Sequence, residues 1–167
     1  MTILPIFLCN NEILRGKATL CQKPYSKYAA LAENMIQTMY KAPGVGLAAP
    51  QIGMALRMFV YDAGAGGMAL INPEIISYSE ETCEYEEGCL SVPEINARVV
   101  RPASIKFRAF DLDGYRIERE AGELEARVIQ HEYDHLDGIL FIDRVSEKDR
   151  KIIFEKLKKI GLKGKVV

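Results

Sequence analysis

Two histidines, the only ones in the chain, lie one helical turn apart in QHEYDH at residues 130–135. Side chains four residues apart share a helix face, so the imidazoles of His131 and His135 can reach one divalent metal ion. Glu132 lies on the flank of that face, where a carboxylate can act as a general base without being a ligand. The alternative is a helix with two incidental histidines, because H-E-x-x-H is a short pattern. Context favours the metal site, because unpaired imidazoles would be costly to bury beside an apolar helix face. The apolar residues around the pair are Leu124, Val128, Ile129 and Leu136.

A hydrolytic metal site needs a third protein ligand and an open position for water. With no further histidine, one candidate is Glu155, 20 residues after His135, which would suit a thermolysin-like endopeptidase but lies in a lysine-rich stretch. The other candidate is Cys89 in EEGCLSVP, where Gly88 permits a tight backbone. The remaining cysteines are predicted to be reduced and buried: Cys9, Cys21 and Cys83.

Three helices are predicted from apolar residues spaced three and four apart. The first spans residues 26–41, with Ser26 as its N-cap. The second spans residues 123–138 and carries both histidines. The third spans residues 146–161 and starts with a capping-box-like pair of Ser146 and Asp149. Three of its apolar side chains are predicted to face the core: Ile153, Leu157 and Ile160.

Strand-forming stretches fill the region between the first two helices. Their connections are too short for crossover helices, and DLDG at 111–114 is typical of a hairpin turn, so the sheets are expected to be mainly antiparallel. The predicted class is α+β, with antiparallel sheets around a central metal-binding helix and a helix near each terminus. The predicted strands are residues 57–61, 69–77, 81–86, 98–110 and 115–120.

The chain of 167 residues is long enough for one domain with its own core, and we expect a single catalytic domain over residues 1–167. It has no export signal and no membrane-spanning apolar run, so we expect a cytoplasmic protein that does not enter membranes. Residues 1–143 carry 13 Lys/Arg and 20 Asp/Glu, whereas residues 144–167 carry 9 and 3. A basic tail of this kind suggests a polyanionic partner, and the alternative is a solvated lysine-rich face.

Three sequence blocks together resemble the motifs of the peptide deformylases. They are GVGLAAPQ at 44–51, EGCLS at 87–91 and QHEYDHLDG at 130–138, in the order and at the separations usual in that family. The resemblance extends over nearly the whole chain. It implies a metal-dependent hydrolase that removes the formyl group from the N-terminal formyl-methionine of newly made proteins and releases formate.

The resemblance also assigns roles to individual residues. Cys89 becomes the third metal ligand beside His131 and His135, and Glu132 becomes the general base for a metal-bound water. Gln51 and the backbone N–H of Leu90 would stabilise the oxyanion, as neutral donors that need no proton transfer, and the carbonyl of Gly46 would accept the N–H of the formylated methionine. Glu87 is a candidate for orienting the Cys89 loop. The methionine side chain would be held by apolar groups: Val45, Tyr85, Leu124 and Val128.

The family resemblance implies one divalent metal per chain, with Fe²⁺ in the cell and Zn²⁺, Ni²⁺ or Co²⁺ possible in purified protein, since a Cys/His/His set suits all four. The substrates would be N-formylmethionyl nascent peptides, and the basic segment 144–165 is predicted to contact the ribosome through phosphates. A catalytically silent ribosome-associated protein is the alternative, although every catalytic position is intact.

Two features depart from relatives. Asn96 stands where some relatives carry an arginine. If that arginine helps to hold the peptide backbone, either Arg98 replaces it here or the contact is lost. Glu125 and Arg127 precede the histidines where other members can be apolar, and both are expected to face solvent or the rim of the pocket.

Overall fold

The structure is a computed structural model and describes residues 2–162 of the chain. Within this range the chain forms three α-helices, α1 (Ala29–Lys41), α2 (Glu123–Leu136) and α3 (Glu147–Lys159). Short 3₁₀ turns connect several elements. The strands are β1 (Gly46–Ala48), β2 (Met58–Tyr61), β3 (Met68–Tyr78), β4 (Thr82–Cys89), β5 (Val92–Pro102), β6 (Ser104–Phe110) and β7 (Arg116–Gly122).

The strands form two antiparallel sheets. Five strands pair in the order β1-β2-β3-β6-β7, and β4 and β5 form a separate hairpin. The predicted α+β class with antiparallel sheets is therefore confirmed, and the turn at 111–114 joins β6 to β7 through a hydrogen bond from the N–H of Asp111 to the carbonyl of Tyr115. The single strand predicted over residues 98–110 is wrong, because Pro102 ends β5 and Ser104 starts β6. Strand β1 was not predicted.

Helix α2 packs against the five-stranded sheet and brings the histidines into the interior. Its apolar side chains Val128 and Ile129 lie in one buried cluster with Phe59 and Phe107 of the sheet. Burying such side chains contributes roughly 1.5–3 kcal/mol each. The helix is therefore fixed by its packing, and the groups on its other face are held in place.

The two flanking helices show where capping predictions succeed and fail. The Ser146 hydroxyl accepts a hydrogen bond from the N–H of Asp149 at 3.1 Å, which confirms the predicted cap of α3. Ser26 does not cap α1: it lies in a 3₁₀ turn over Tyr25–Tyr28 that leads into the helix. In α3, Ile153 and Leu157 are buried, but Ile160 is 42% exposed, contrary to prediction.

The cysteines are free thiols, and two of the three predicted to be buried are so. Cys9 and Cys21 lie in the core, whereas Cys83 is exposed on β4, so its predicted burial is wrong. Among the described residues, no helix has the length and apolar character needed to cross a membrane.

Candidate active site

The structure brings Cys89, His131 and His135 together. Cys89 ends β4, and its Sγ lies 3.3 Å from Nε2 of His135. The two imidazoles, one turn apart on α2, have ring centroids separated by 5.1 Å. One donor atom from each of the three residues falls within 4.8 Å of the others. A helix and a neighbouring hairpin thus supply three soft or borderline ligand atoms to one point.

These residues fit a divalent metal. Zinc-like ions bind thiolate sulfur at about 2.3 Å and imidazole nitrogen at about 2.0–2.1 Å, so ligand atoms around one ion are separated by roughly 3.3–3.6 Å. The observed spacing of Cys89 and His135 agrees with that range. Burial lowers the pKa of His135 well below its usual value, which favours the neutral imidazole that a metal requires. Three protein donors leave a position open for water or substrate.

Glu87 holds the ring of His131 from the side away from the cluster. Its Oε2 lies 2.9 Å from Nδ1 of His131, so the other ring nitrogen is free to face Cys89. Burial opposes charge on His131, but hydrogen bonds to Cys89 and Glu87 raise the pKa of its imidazole well above the usual value. Burial also opposes charge on Glu87, but the hydrogen bond from His131 and the ion pair with Arg101 lower the pKa of its carboxyl well below the usual value. Glu87 is therefore an anion that fixes the orientation of His131.

Two arginines compensate the buried charge of Glu87. Arg101 on β5 donates from Nε to Glu87 at 2.6 Å, and Arg127 on α2 donates from Nη1 at 2.8 Å. Arg101 also reaches Asp134 at 2.8 Å, and Asp134 pairs with Arg144. Buried ions are tolerated only when paired in this way. The network ties the β4–β5 hairpin to α2, and so ties Cys89 to the histidines.

Glu132 lies beside the cluster without belonging to it. Its carboxylate is buried, and Oε2 has no hydrogen-bond partner among the described residues. Burial raises its pKa to about 7, which suits a group that accepts and returns a proton near neutral pH. Gly46 of β1 packs so closely that a Cβ at that position would lie 2.2 Å from Oε1 of Glu132. Glycine is therefore required at position 46 for this carboxylate to keep its place.

Gln51 presents its amide to the Cys89 side of the cluster. Its Oε1 accepts the N–H of Ala48 at 2.8 Å, which fixes which end of the amide points inward. Its Nε2 then lies 3.1 Å from Oγ of Ser91 and 3.5 Å from Sγ of Cys89. Leu90 follows Cys89 at the turn of the hairpin and lines the same cavity. The arrangement places one neutral hydrogen-bond donor, the Gln51 amide, beside the Cys89 sulfur.

A cavity of about 530 Å³ opens in front of these groups. Val128 is buried in its wall, whereas Val45, Tyr85 and Leu124 stand at its mouth with exposed fractions of 50%, 61% and 46%. All four predicted pocket residues therefore line one space, together with Gly46, Gln51, Cys89, Leu90, His131 and Glu132.

Other sequence-based expectations meet a different outcome. Arg98 does not line the cavity but forms an exposed pair with Glu84 at 3.4 Å, so it does not replace the arginine missing at Asn96. Arg127 lines the cavity, but it is buried and its guanidinium pairs with Glu87. Sequence reasoning missed this ion pair because no sequence pattern revealed that Glu87 would face Arg127. Glu125 pairs with Arg119 on β7. Glu155 is exposed, pairs with Lys158 and lies outside the cluster.

Comparisons with known proteins agree on one family. The sequence model of the polypeptide deformylase family matches residues 3–151. A peptide deformylase of Rhodopseudomonas palustris is 49% identical over 171 residues, covering 98% of this chain and 95% of the relative. The crystal structure of peptide deformylase from Thermotoga maritima has a TM-score of 0.85 at 44% identity, covering 87% of this chain and 99% of that one. A Synechococcus elongatus deformylase, solved in complex with actinonin, has a TM-score of 0.89 at 34% identity, with coverage of 98% and 92%.

Proposed function

Since the chain belongs to the peptide deformylase family, we propose that Cys89, His131 and His135 hold the divalent metal on which the activity of that family depends. The activity is the hydrolytic removal of the formyl group from N-terminal formyl-methionine, with formate and a free amine as products. The observation that supports the ligand assignment is the convergence of the three donor atoms within 4.8 Å beside a buried carboxylate.

The bound metal would supply a Lewis acid that lowers the pKa of water toward neutrality. Iron(II) is the proposed metal in the cell, supported by the family resemblance, and zinc, nickel or cobalt would fit the same donor set. Metal analysis of protein purified without oxygen tests this choice, with iron as the expected result.

Glu132 is the proposed proton carrier of the reaction. It accepts a proton from the attacking water and donates it to the departing amine, and a pKa of about 7 allows both steps near neutral pH. Gln51 Nε2 and the N–H of Leu90 are the proposed donors to the oxyanion that forms as water adds to the formyl carbon. The contact between Gln51 and Ala48 supports this role, because it holds the amide in one orientation before substrate arrives.

The substrate backbone is proposed to enter as an extended strand. Among the described strands, β1 pairs only with β2 and β4 pairs only with β5, and residues of both free edges line the cavity. An extended peptide can hydrogen-bond to exposed strand edges, which supports Gly46 as the acceptor of the methionine N–H. The side chain of the methionine would then lie among Val45, Tyr85, Leu124 and Val128.

The experiment that tests the activity is formate release from a formyl-methionyl tripeptide by protein loaded anaerobically with iron(II). Turnover should stop when the metal is chelated and return when it is restored. The acetylated peptide serves as control, and it should react much more slowly because the extra methyl crowds the site. Metal-independent turnover, or none with the metal bound, would overturn the proposal.

The basic segment 144–165 is proposed to dock on the ribosome, from which the formylated substrate emerges. Its described part forms α3, whose buried side chains Ile153 and Leu157 face the core while Lys156, Lys158 and Lys159 are exposed. No residue of α3 lines the cavity, so docking would leave the active site open to the nascent chain. Lys163 and Lys165 of this segment lie outside the described residues.

Ribosome binding across salt concentrations tests this docking. Neutralising Lys156, Lys158, Lys159 and Lys163 should weaken binding and flatten its salt dependence, because phosphate contacts release counterions. Turnover of a free peptide should be retained. The matched control variant should bind the ribosome normally. It neutralises four lysines outside the tail: Lys17, Lys23, Lys27 and Lys106. Unchanged binding in the tail variant would refute the docking.

We further propose that residues 1–167 form one catalytic domain that works in the cytoplasm. The single domain is supported by two sets of contacts that share α2. The network of Glu87, Arg101 and Asp134 joins the β4–β5 hairpin to α2, and the apolar side chains of α2 pack against the five-stranded sheet. The cytoplasmic location is supported by the proposed substrate, which is a newly made protein.

A further inference from the structure

The mouth of the cavity carries negative charge that the reaction does not use. Glu86 on β4 and Glu94 on β5 both line the cavity, and both side chains are exposed. Neither forms an ion pair with a cation among the described residues, whereas Glu84, also on β4, is paired with Arg98. Glu86 and Glu94 are hereafter the mouth carboxylates.

The remaining charged groups of the cavity cannot neutralise the mouth carboxylates. Among the described residues, Arg127 is the only lysine or arginine that lines the cavity. Its guanidinium donates to Glu87 and to the carbonyls of Cys83 and Val99. His131 is held by Glu87 as well. The charge presented to a substrate beyond its reacting end is therefore negative.

The nearest cross-strand cation also points elsewhere. Arg98 is the register partner of Glu86 in the hairpin, yet its guanidinium reaches Glu84 instead. Position 96, which lines the cavity between these strands, holds the neutral Asn96. A cation at that position would have offset the mouth carboxylates, and this chain has none there.

The backbone of β5 holds Glu94 at the mouth. Gly88 pairs with Asn96 and Cys89 pairs with Val92, so residues 93–95 bulge out of the hairpin. Glu94 has a φ of 63° within this bulge, a conformation that non-glycine residues rarely adopt. The position of this carboxylate is therefore set by the same pairing that places Cys89 in the cluster.

A substrate must pass these groups. With the formyl carbon beside Glu132 and Cys89 and the methionine side chain inside the cavity, the rest of the chain leaves through the mouth. An extended chain advances about 3.3 Å per residue, so the two or three residues after methionine lie near the mouth carboxylates. Opposite charges at such exposed sites attract modestly, and like charges repel by similar amounts.

We propose that Glu86 and Glu94 are specificity-determining residues that favour nascent chains with lysine or arginine directly after the formyl-methionine and disfavour chains with aspartate or glutamate there. This inference rests on the deformylase activity and extends it to the residues that follow methionine.

The test compares kcat/KM for three peptides that differ only after methionine: formyl-Met-Lys-Lys, formyl-Met-Gln-Gln and formyl-Met-Glu-Glu. In low salt the lysine peptide should exceed the glutamate peptide by about 10-fold, with the glutamine peptide between them. The ratio should shrink as salt rises toward 1 M, where the Debye length is about 3 Å. The double variant Glu86→Gln/Glu94→Gln should reduce the ratio to about 2-fold or less.

The ratio is the decisive quantity, because a general loss of activity changes all three peptides alike. Glu120→Gln removes the same charge on β7, outside the cavity, and should leave the ratio at the parent value. Equal kcat/KM for the three peptides in the parent, or a ratio that survives in the double variant, would overturn the inference. Failure to hydrolyse even the glutamine peptide would instead refute the deformylase activity itself.

Discussion

Replacing Gly46 with alanine should displace the general base without touching any proposed metal ligand. A Cβ at position 46 would lie 2.2 Å from Oε1, 2.7 Å from Cδ and 2.8 Å from Cγ of Glu132. Carbon and oxygen atoms in contact are normally separated by about 3.3 Å or more. The carboxylate must therefore move by roughly 1 Å, because its backbone is fixed in α2.

The size of the expected effect follows from this displacement. A misplacement of about 1 Å can cost roughly 10²-fold in rate, and the whole contribution of a general base is about 10²–10⁴-fold. We therefore expect Gly46→Ala to lower kcat by about 10²-fold while metal content stays at the parent level.

The assay is steady-state formate release from a formyl-methionyl peptide, with metal content measured on the same samples. Gly122→Ala is the matched control, because nothing lies within 4 Å of a Cβ there and its φ of −132° suits alanine. It should keep full activity. The variant Gly46→Ala/Glu132→Ala should be no slower than Glu132→Ala alone, since both changes act on one group. A kcat for Gly46→Ala within twofold of the parent would show that the added methyl does not displace the Glu132 carboxylate.

Three further variants separate the roles of the site, and Arg98→Met serves as the control for the third. Glu132→Ala should retain the metal but lower kcat by roughly 10²–10⁴-fold; loss of metal in parallel would show that Glu132 is a ligand. Gln51→Ala should lower kcat by roughly 10²–10³-fold at constant metal content, and unchanged turnover would remove it from the oxyanion site. Arg101→Met leaves two buried carboxylates short of a partner and should cost about 3–5 kcal/mol in the free energy of unfolding, measured in urea. Arg98→Met breaks an exposed pair and should cost under about 1 kcal/mol; equal losses would contradict the burial argument.

Local patterns predicted the elements whose physics is local. The spacing of His131 and His135 follows from helix periodicity, and the hydroxyl of Ser146 caps α3 through a residue three positions away. The strand boundaries near Pro102 and the short β1 were missed, because a break between adjacent strands and a three-residue strand leave no periodic signal.

Contacts between residues far apart in the sequence could not be predicted from local patterns. Arg127 lies 40 residues after Glu87, and only the packing of α2 against the hairpin brings them to 2.8 Å. Cys83 is exposed because it lies in the first half of β4, where residues of both faces are exposed, which composition alone does not reveal. The residues alone left both Cys89 and Glu155 open as the third metal ligand, and the resemblance to a known family decided in favour of Cys89.

Metal content and formate release, measured together in Cys89→Ala, show whether Cys89 completes the metal site on which the reaction depends. Two histidines alone leave the metal under-coordinated, so we expect bound metal and turnover to be lost together. Cys83→Ala, which removes an exposed thiol of the same strand, should keep both. Stoichiometric metal and parental turnover in Cys89→Ala would show that Cys89 is not a metal ligand.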